Sequence, residues 1–326
     1  MTHHLIARLS AGAAAIILTA VMLLSAATVG RANLCKQWGE GEKAGALDYL
    51  QIDEASGIAV SSKFPGRLYH VNDSGSGPYF YVSGTDGGKT KAVRIEGFNA
   101  LGSDFEDASL GPCFSGEFCF FIADIGDNSE RRRFVRIIVI EEIEDYGRSV
   151  IPLKILKLAY PDRPHNAEGM AVHPNGDIYI FTKEEDLDRM ESYPAKLYKL
   201  EKGKWENADD GVLKLEYAGE LDLPGLSGSD SPFGGVVTSF DIAPGGKTFL
   251  VLTYEDAYEF DTDLSASGLK LSGRLVRDKD YSVIKLTSLP QQESISYVEE
   301  GRGFIYDSEY HVFDVPIIRV ECLGGR

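Results

Sequence analysis

Glu168-Gly-Met-Ala-Val172, followed by Asp177-Ile-Tyr-Ile-Phe-Thr-Lys183, is the stretch on which the fold turns. An acid, small residues and a short apolar run lead, across the turn signal Asn175-Gly176, into an aromatic and β-branched run. The acidic phrase recurs as Glu54-Ala-Ser-Gly-Ile-Ala-Val60, Glu106-Asp-Ala-Ser-Leu110 and Glu293-Ser-Ile-Ser-Tyr297, and more weakly as Ser239-Phe-Asp-Ile-Ala243. The aromatic run recurs as Arg67-Leu-Tyr-His-Val-Asn-Asp73, Phe118-Cys-Phe-Phe-Ile-Ala-Asp124, Thr248-Phe-Leu-Val-Leu-Thr-Tyr254 and Gly303-Phe-Ile-Tyr-Asp-Ser-Glu309. Repetition at roughly 50 to 70 residues marks one supersecondary unit copied around an axis or along a line. The remaining apolar runs are short and bounded by Gly, Pro, Asn or Asp, which argues for an all-β chain. A four-stranded propeller blade needs about 40 to 50 residues, so the repeat predicts a β-propeller. The acidic phrase would be the innermost strand of each blade and the aromatic run the second. Five units are recognised. The insert 184–235 holds further strand-like pieces, Lys196–Leu200 and Val212–Tyr217, as long loops or as a sixth blade.

The chain has 326 residues, 43% hydrophobic and 25% charged, the balance of a globular protein. Lys and Arg number 33 against 50 Asp and Glu, a net charge of −17 that repels phosphate backbones and argues against a nucleic-acid partner. The same surface attracts cations and basic partners, or simply keeps an exported protein soluble. Arg8 and the apolar, Ala-rich run 9–29 lead to Gly30-Arg31-Ala32, which fits the small-x-small rule for a cleaved export signal at 1–32. The run is also long enough for an uncleaved anchor. No second apolar stretch has spanning length, so residues 33–326 are expected to form one periplasmic or secreted propeller domain without a membrane span.

Four cysteines in an exported chain suggest two disulfides. Cys113 and Cys119 flank a tight loop, Phe-Ser-Gly-Glu-Phe. Cys35 and Cys322 then lie at the two ends of the mature chain, where a bond would latch a closed ring.

Closure of such a ring brings the leading acids Glu54, Glu106, Glu168 and Glu293, with Asp241 from the weaker copy, towards one axis. Carboxylates that close cannot all stay ionised unaided. Some can protonate, Lys183 or Arg94 can pair with them, or a hard cation can bind. Ca²⁺ takes six to eight oxygens, which carboxylates and the side-chain carbonyls of Asn72, Asn128 or Asn166 would supply. With no His or Cys cluster nearby, zinc and copper match poorly. The turns Asn72-Asp-Ser-Gly-Ser-Gly77 and Asp124-Ile-Gly-Asp-Asn128 add Asp73, Asp124, Asp127 and Asn128, either as oxygen donors or as turn caps. The expected metal set is Glu54, Glu106, Asp107, Asp124, Asp127, Asn128, Glu168 and Glu293. The expected ligand-binding set is Asn72, Asp73, His165, Asn166, Lys183, Asp241, Tyr254 and Glu309. Lys183 and Tyr254 end second strands at equivalent positions. Arg131-Arg132-Arg133 reads as a solvated loop.

The strings Arg67-Leu-Tyr-His-Val-Asn-Asp-Ser-Gly75, Asp104-Phe-Glu-Asp107, Ala123-Asp-Ile-Gly-Asp-Asn128, Asn166-Ala-Glu168 and Thr182-Lys183 occur in the order seen in one protein family. In them the chain resembles a family of exported bacterial β-propeller proteins, most of them uncharacterised. The resemblance covers nearly all of the mature chain, and Phe105 stands where that family's pattern has Trp. More distantly, the layout is similar to calcium-dependent propellers of the lactonase–paraoxonase and phytase types. That likeness is architectural and carries no catalytic residue across. Three readings compete: a binding propeller for a small ligand or protein partner with a Ca²⁺-stabilised acidic funnel; a metal-dependent hydrolase of lactones or phosphate esters, with a carboxylate or His165 as base; and a scaffold whose central polar residues only hydrogen-bond to each other and to water. The residues do not decide whether the chain is an enzyme, since no nucleophile elbow surrounds Ser74.

Overall fold

The fold is described from a computed structural model covering residues 33–266, 271, 274–309 and 315–325. The expected export signal at 1–32 lies outside the described residues. Among the described residues, no helix is long and apolar enough to cross a membrane.

Five antiparallel blades surround one axis. Blade 1 runs outward through Ala55–Val60, Arg67–Asn72, Tyr79–Gly84 and Lys91–Ile95. Blade 2 comprises Phe105–Pro112, Phe118–Asp124, Val135–Glu141 and Lys154–Ala159. Blade 3 comprises Ala167–Val172, Ile178–Thr182, Ala195–Leu200 and Glu216–Leu221. Blade 4 comprises Val237–Ile242, Phe249–Thr253, Asp256–Phe260 and Tyr281–Lys285. Blade 5 takes Gln292–Val298, Gly303–Ser308 and Pro316–Glu321 from the C-terminal end, and its outer strand, Glu42–Ala46, from the N-terminal end. The insert of blade 3 is therefore no sixth blade. It supplies that blade's two outer strands, and Val212–Lys214 pairs in parallel with the edge of blade 2.

Each inner strand packs beside the next, and the fifth returns beside the first. Five apolar clusters fill the five gaps between neighbouring blades. The second strands show why the sequence does this. In Phe118–Asp124 the alternation sends Cys119, Phe121 and Ala123 towards blade 3, and Phe120 and Ile122 towards blade 1. A strand buried on both faces reads as an unbroken apolar run, as these aromatic runs do. Cys35–Cys322 joins the two ends of the ring, and Cys113–Cys119 closes the loop between the inner strands of blade 2.

One irregularity recurs in every blade. Where the inner strand begins, its register against the second strand slips by one residue, leaving Ser56, Glu106, Glu168, Thr238 and Glu293 unpaired in blades 1 to 5. A bulge of this kind re-aims one side chain out of the alternation. Three of the five re-aimed residues are glutamates.

Candidate functional site

Above the bulges, each second strand ends in a residue that enters the same mouth: Asp73, Lys183, Tyr254 and Glu309 in blades 1, 3, 4 and 5. In blade 2 the equivalent residue, Ile125, is buried in the core between blades 2 and 3, and Asp104, from the loop before the inner strand, comes into the mouth instead. Lys183 sits among them. Its Nζ donates to Glu168 Oε1 at 2.9 Å and to the Tyr254 hydroxyl at 2.8 Å, and lies 5.0 Å from the Tyr254 ring centre. Burial works against this ammonium, but Glu168, Tyr254 and Glu293 outweigh it and hold its proton well above the ordinary lysine range. Sequence equivalence therefore places Lys183 and Tyr254 correctly, in one mouth. Arg94 does not reach it and pairs with Glu96 at 3.2 Å on the surface.

The carboxyl groups outnumber this cation. Burial, and then Glu168, Asp73 and Asp104, push Glu106 well above the ordinary carboxylate range. Glu293 is pushed well above it by burial and by Glu168, and Glu168 is raised by burial against the pull of Lys183. At the more open edge, burial and Asp73 raise Asp104 to about 7. Burial, then Asp73, Glu54 and Glu168, bring Glu309 to about 7. Glu54 is exposed and only skirts this group, raised by burial, Asp53 and Asp73. One oxygen each of Asp73, Asp104 and Glu106 lies within 4.8 Å of the other two. A cation held at about 2.4 Å from each oxygen needs its ligands no more than about 4.8 Å apart. Gly126 closes the floor of this triangle. A Cβ there would stand 2.0 Å from Glu106 Oε1 and 2.4 Å from Asp104 Oδ2, so any larger residue would push these carboxyl groups out of their present places. All three donors are carboxylate oxygens, which fits a hard cation and not zinc or copper.

The other expected residues take different places. Asp124 is a clamp: it accepts from Asp104 N at 2.9 Å and Arg132 Nη2 at 2.9 Å, and pairs with Arg136 Nε. Arg132 also donates to Gly126 O at 2.7 Å, so this arginine braces the turn and is no solvated loop residue. Asp127 accepts from Arg132 N at 2.6 Å, and its own N–H donates to Asn166 Oδ1 at 2.8 Å. Asn166 Nδ2 donates to Asn128 Oδ1 at 3.1 Å and to Glu168 Oε1 at 3.3 Å. These residues link the turn of blade 2 to blade 3. Asn72 donates to Gln51 O and Asp53 Oδ1, both at 3.0 Å.

His165 is fully buried among other partners. Its Nε2 lies 3.1 Å from Asp162 Oδ2 and 2.9 Å from the Tyr198 hydroxyl, and its Nδ1 lies 2.8 Å from Glu184 Oε1. None of the axial acids touches it, so its place is structural and it is no base for chemistry in the mouth. Glu130, His165 and Glu184 also bring ligand atoms within 4.8 Å of one another, but Arg163 already bridges Glu130 at 2.5 Å and Glu184 at 3.0 Å.

Asp107 and Asp241 lie below the mouth. Asp107 Oδ2 accepts from Met170 N at 2.8 Å and Phe240 N at 3.2 Å, and Oδ1 from Ala108 N at 2.8 Å and Ser239 Oγ at 3.2 Å. Four donors on one carboxylate make it a crosslink between blades 2, 3 and 4 and not a metal ligand. Asp241 stands three residues beyond the bulge, at Thr238, and faces the opposite end of the channel. The phrase match that put it in the acidic ring was out of register. Glu54 is likewise displaced by two, because Ser56 occupies the bulge of blade 1 and donates to Glu106 O at 3.2 Å.

No protein-family model matches this chain, and no curated relative matches it. Solved structures resemble it distantly. A protein described as a gluconolactonase candidate shares 14% identity over 82% of this chain and 73% of its own, with a TM-score of 0.42. An auxiliary nutrient binding protein from Bacteroides thetaiotaomicron shares 11% over 83% and 70%, with a TM-score of 0.43. Hydrazine synthase from Kuenenia stuttgartiensis shares 14% over 79% of this chain and 56% of its own, with a TM-score of 0.38. These likenesses are too distant to carry an argument about ligand or reaction.

Proposed function

We propose that this chain is an exported binding propeller whose acidic mouth takes up a hard divalent cation, Ca²⁺ by ligand preference, between Asp73, Asp104 and Glu106. The cation would then present open coordination positions to an oxygen-bearing small ligand or partner. The observation that carries this reading is the oxygen triangle over Gly126, set in a group of carboxyls that Lys183, with Arg132 at the Asp104 edge, does not balance. Two disulfides and the leader-like N-terminus support export.

A metal-dependent hydrolase is the second reading. Its support is Glu309, half-buried beside the same group, with a carboxyl near 7 that suits a general base. A panel of lactones and phosphate esters separates the two. Turnover that needs both Ca²⁺ and Glu309 favours the hydrolase, and binding without turnover favours the receptor.

The pH dependence of stability tests the cation. Carboxyls at about 7 in the fold and about 4 in the unfolded chain bind more protons when folded. Stability is therefore greatest below about 4 for these groups and is lost as pH rises through about 7. In chelator, the melting temperature should fall between pH 5 and pH 8. Millimolar Ca²⁺ should raise it at pH 8 and flatten the profile, the stabilisation being about 2.7 kcal/mol at a hundredfold excess over Kd. Glu106→Gln should keep the fold and lose the Ca²⁺ response. An identical profile with and without Ca²⁺ would remove the proposal.

A further inference from the structure

The channel has two ends of opposite chemistry. The five inner strands run away from the acidic mouth, and their far ends surround a cavity of about 300 Å³. Val60, Leu110, Val172, Ile242 and Tyr297 line it, one from each blade. Of the residues lining it, none is Lys, Arg or His, and Asp241 alone is acidic. The crosslink made by Asp107 and Ser239 lies between this cavity and the mouth, so the two sites are separate.

Asp241 is built into the wall. Its Oδ2 accepts from Tyr297 N at 2.8 Å and Ser296 Oγ at 3.1 Å, and its Oδ1 from Ile242 N at 2.9 Å. A carboxylate offers about four acceptor positions, so about one remains open to the cavity. Burial raises its carboxyl to about 6, which leaves it largely ionised at neutral pH. Largely apolar walls with a few polar groups, here Asp241 with Ser62 and Ser296, are the usual make-up of a small-molecule pocket, and the volume is at the lower end of the usual range of about 300–1,000 Å³. A single uncompensated carboxylate in such walls selects a cationic head on an apolar body.

The geometry points to a binding site for a small alkylammonium compound, its chain against the five strand ends and its ammonium on the open oxygen position of Asp241. The site goes beyond the cation reading and does not rest on it.

Calorimetric titration of the full chain in chelator with n-alkylammonium ions from butyl to octyl, and with the matching alcohols, tests this. Saturable binding is expected, tightening about fourfold per methylene until the cavity fills. Hexanol should bind at least about tenfold more weakly than hexylammonium. Asp241→Asn should erase that preference, Val60→Trp should abolish binding of both, and Glu106→Gln should leave both unchanged. The melting temperature of each variant checks that it folds. If Asp241→Asn does not fold, Val60→Trp and the amine-to-alcohol ratio decide. Absence of saturable binding, equal affinity for amine and alcohol, or amine binding that survives Val60→Trp and disappears in Glu106→Gln would overturn the assignment.

Discussion

Asp107→Ala is expected to cost about 3–5 kcal/mol of folding stability, in the range where single substitutions become exceptional. The carboxylate is fully buried and takes N–H donors from its own blade and from blades 3 and 4. Its fourth donor, Ser239, accepts in turn from Ile295 N of blade 5 at 3.2 Å. One side chain thus ties four blades where no ladder hydrogen bonds run between sheets. Removing it leaves four buried donors, each worth about 1–3 kcal/mol, and water entering the hole recovers part of that. Asp107→Asn should fall between, because it keeps one accepting oxygen and turns an NH₂ against other donors. Chemical denaturation of the three proteins measures the difference. A loss below about 1 kcal/mol for Asp107→Ala would mean that the crosslink does not hold the ring.

The second large effect is expected from Cys35→Ser with Cys322→Ser. The bond spans 287 residues, against 6 for Cys113–Cys119. In the chain-entropy model the long loop is worth about 6 kcal/mol and the short one about 2 kcal/mol, with about 2–5 kcal/mol commonly realised for a native bond. The long bond also fixes the join at which Glu42–Ala46 completes blade 5, so its loss should open the ring there first. Hydrogen exchange should speed up in Glu42–Ala46 and Pro316–Glu321 before other strands. Greater destabilisation from the Cys113/Cys119 pair than from the terminal pair would contradict this.

The repeating phrase made the blades and both disulfide partners legible, since strand alternation, turn signals and cysteine positions are local properties of the chain. Three glutamates, Glu106, Glu168 and Glu293, were legible as axial because each occupies the bulge of its blade. Glu54 and Asp241 were not, because matching on the acid cannot see a one-residue bulge. Ser56 and Thr238 hold the equivalent places and carry no charge. Asp104 was visible only as part of a family string. Its role depends on Ile125 vacating the blade 2 position and on Gly126 letting the turn close in, which is tertiary information. His165 failed for the same reason, since beside the local Asp162 its ring is held by Glu184 and Tyr198, which come from separate segments. The lower cavity is lined by the apolar ends of the same five phrases, but that these ends meet around one space is tertiary information.

The central claim is that crowded, partly protonated carboxyls at the mouth exchange their protons for a divalent cation. Titration of the chain with Ca²⁺ by calorimetry, at pH 6 and pH 8 in buffers of different ionisation heat, tests it most directly. The account predicts one saturable site, tighter at pH 8, with more protons released at pH 6, where Asp104 is still largely protonated. No binding, or binding of equal strength at both pH values without proton release, would contradict it.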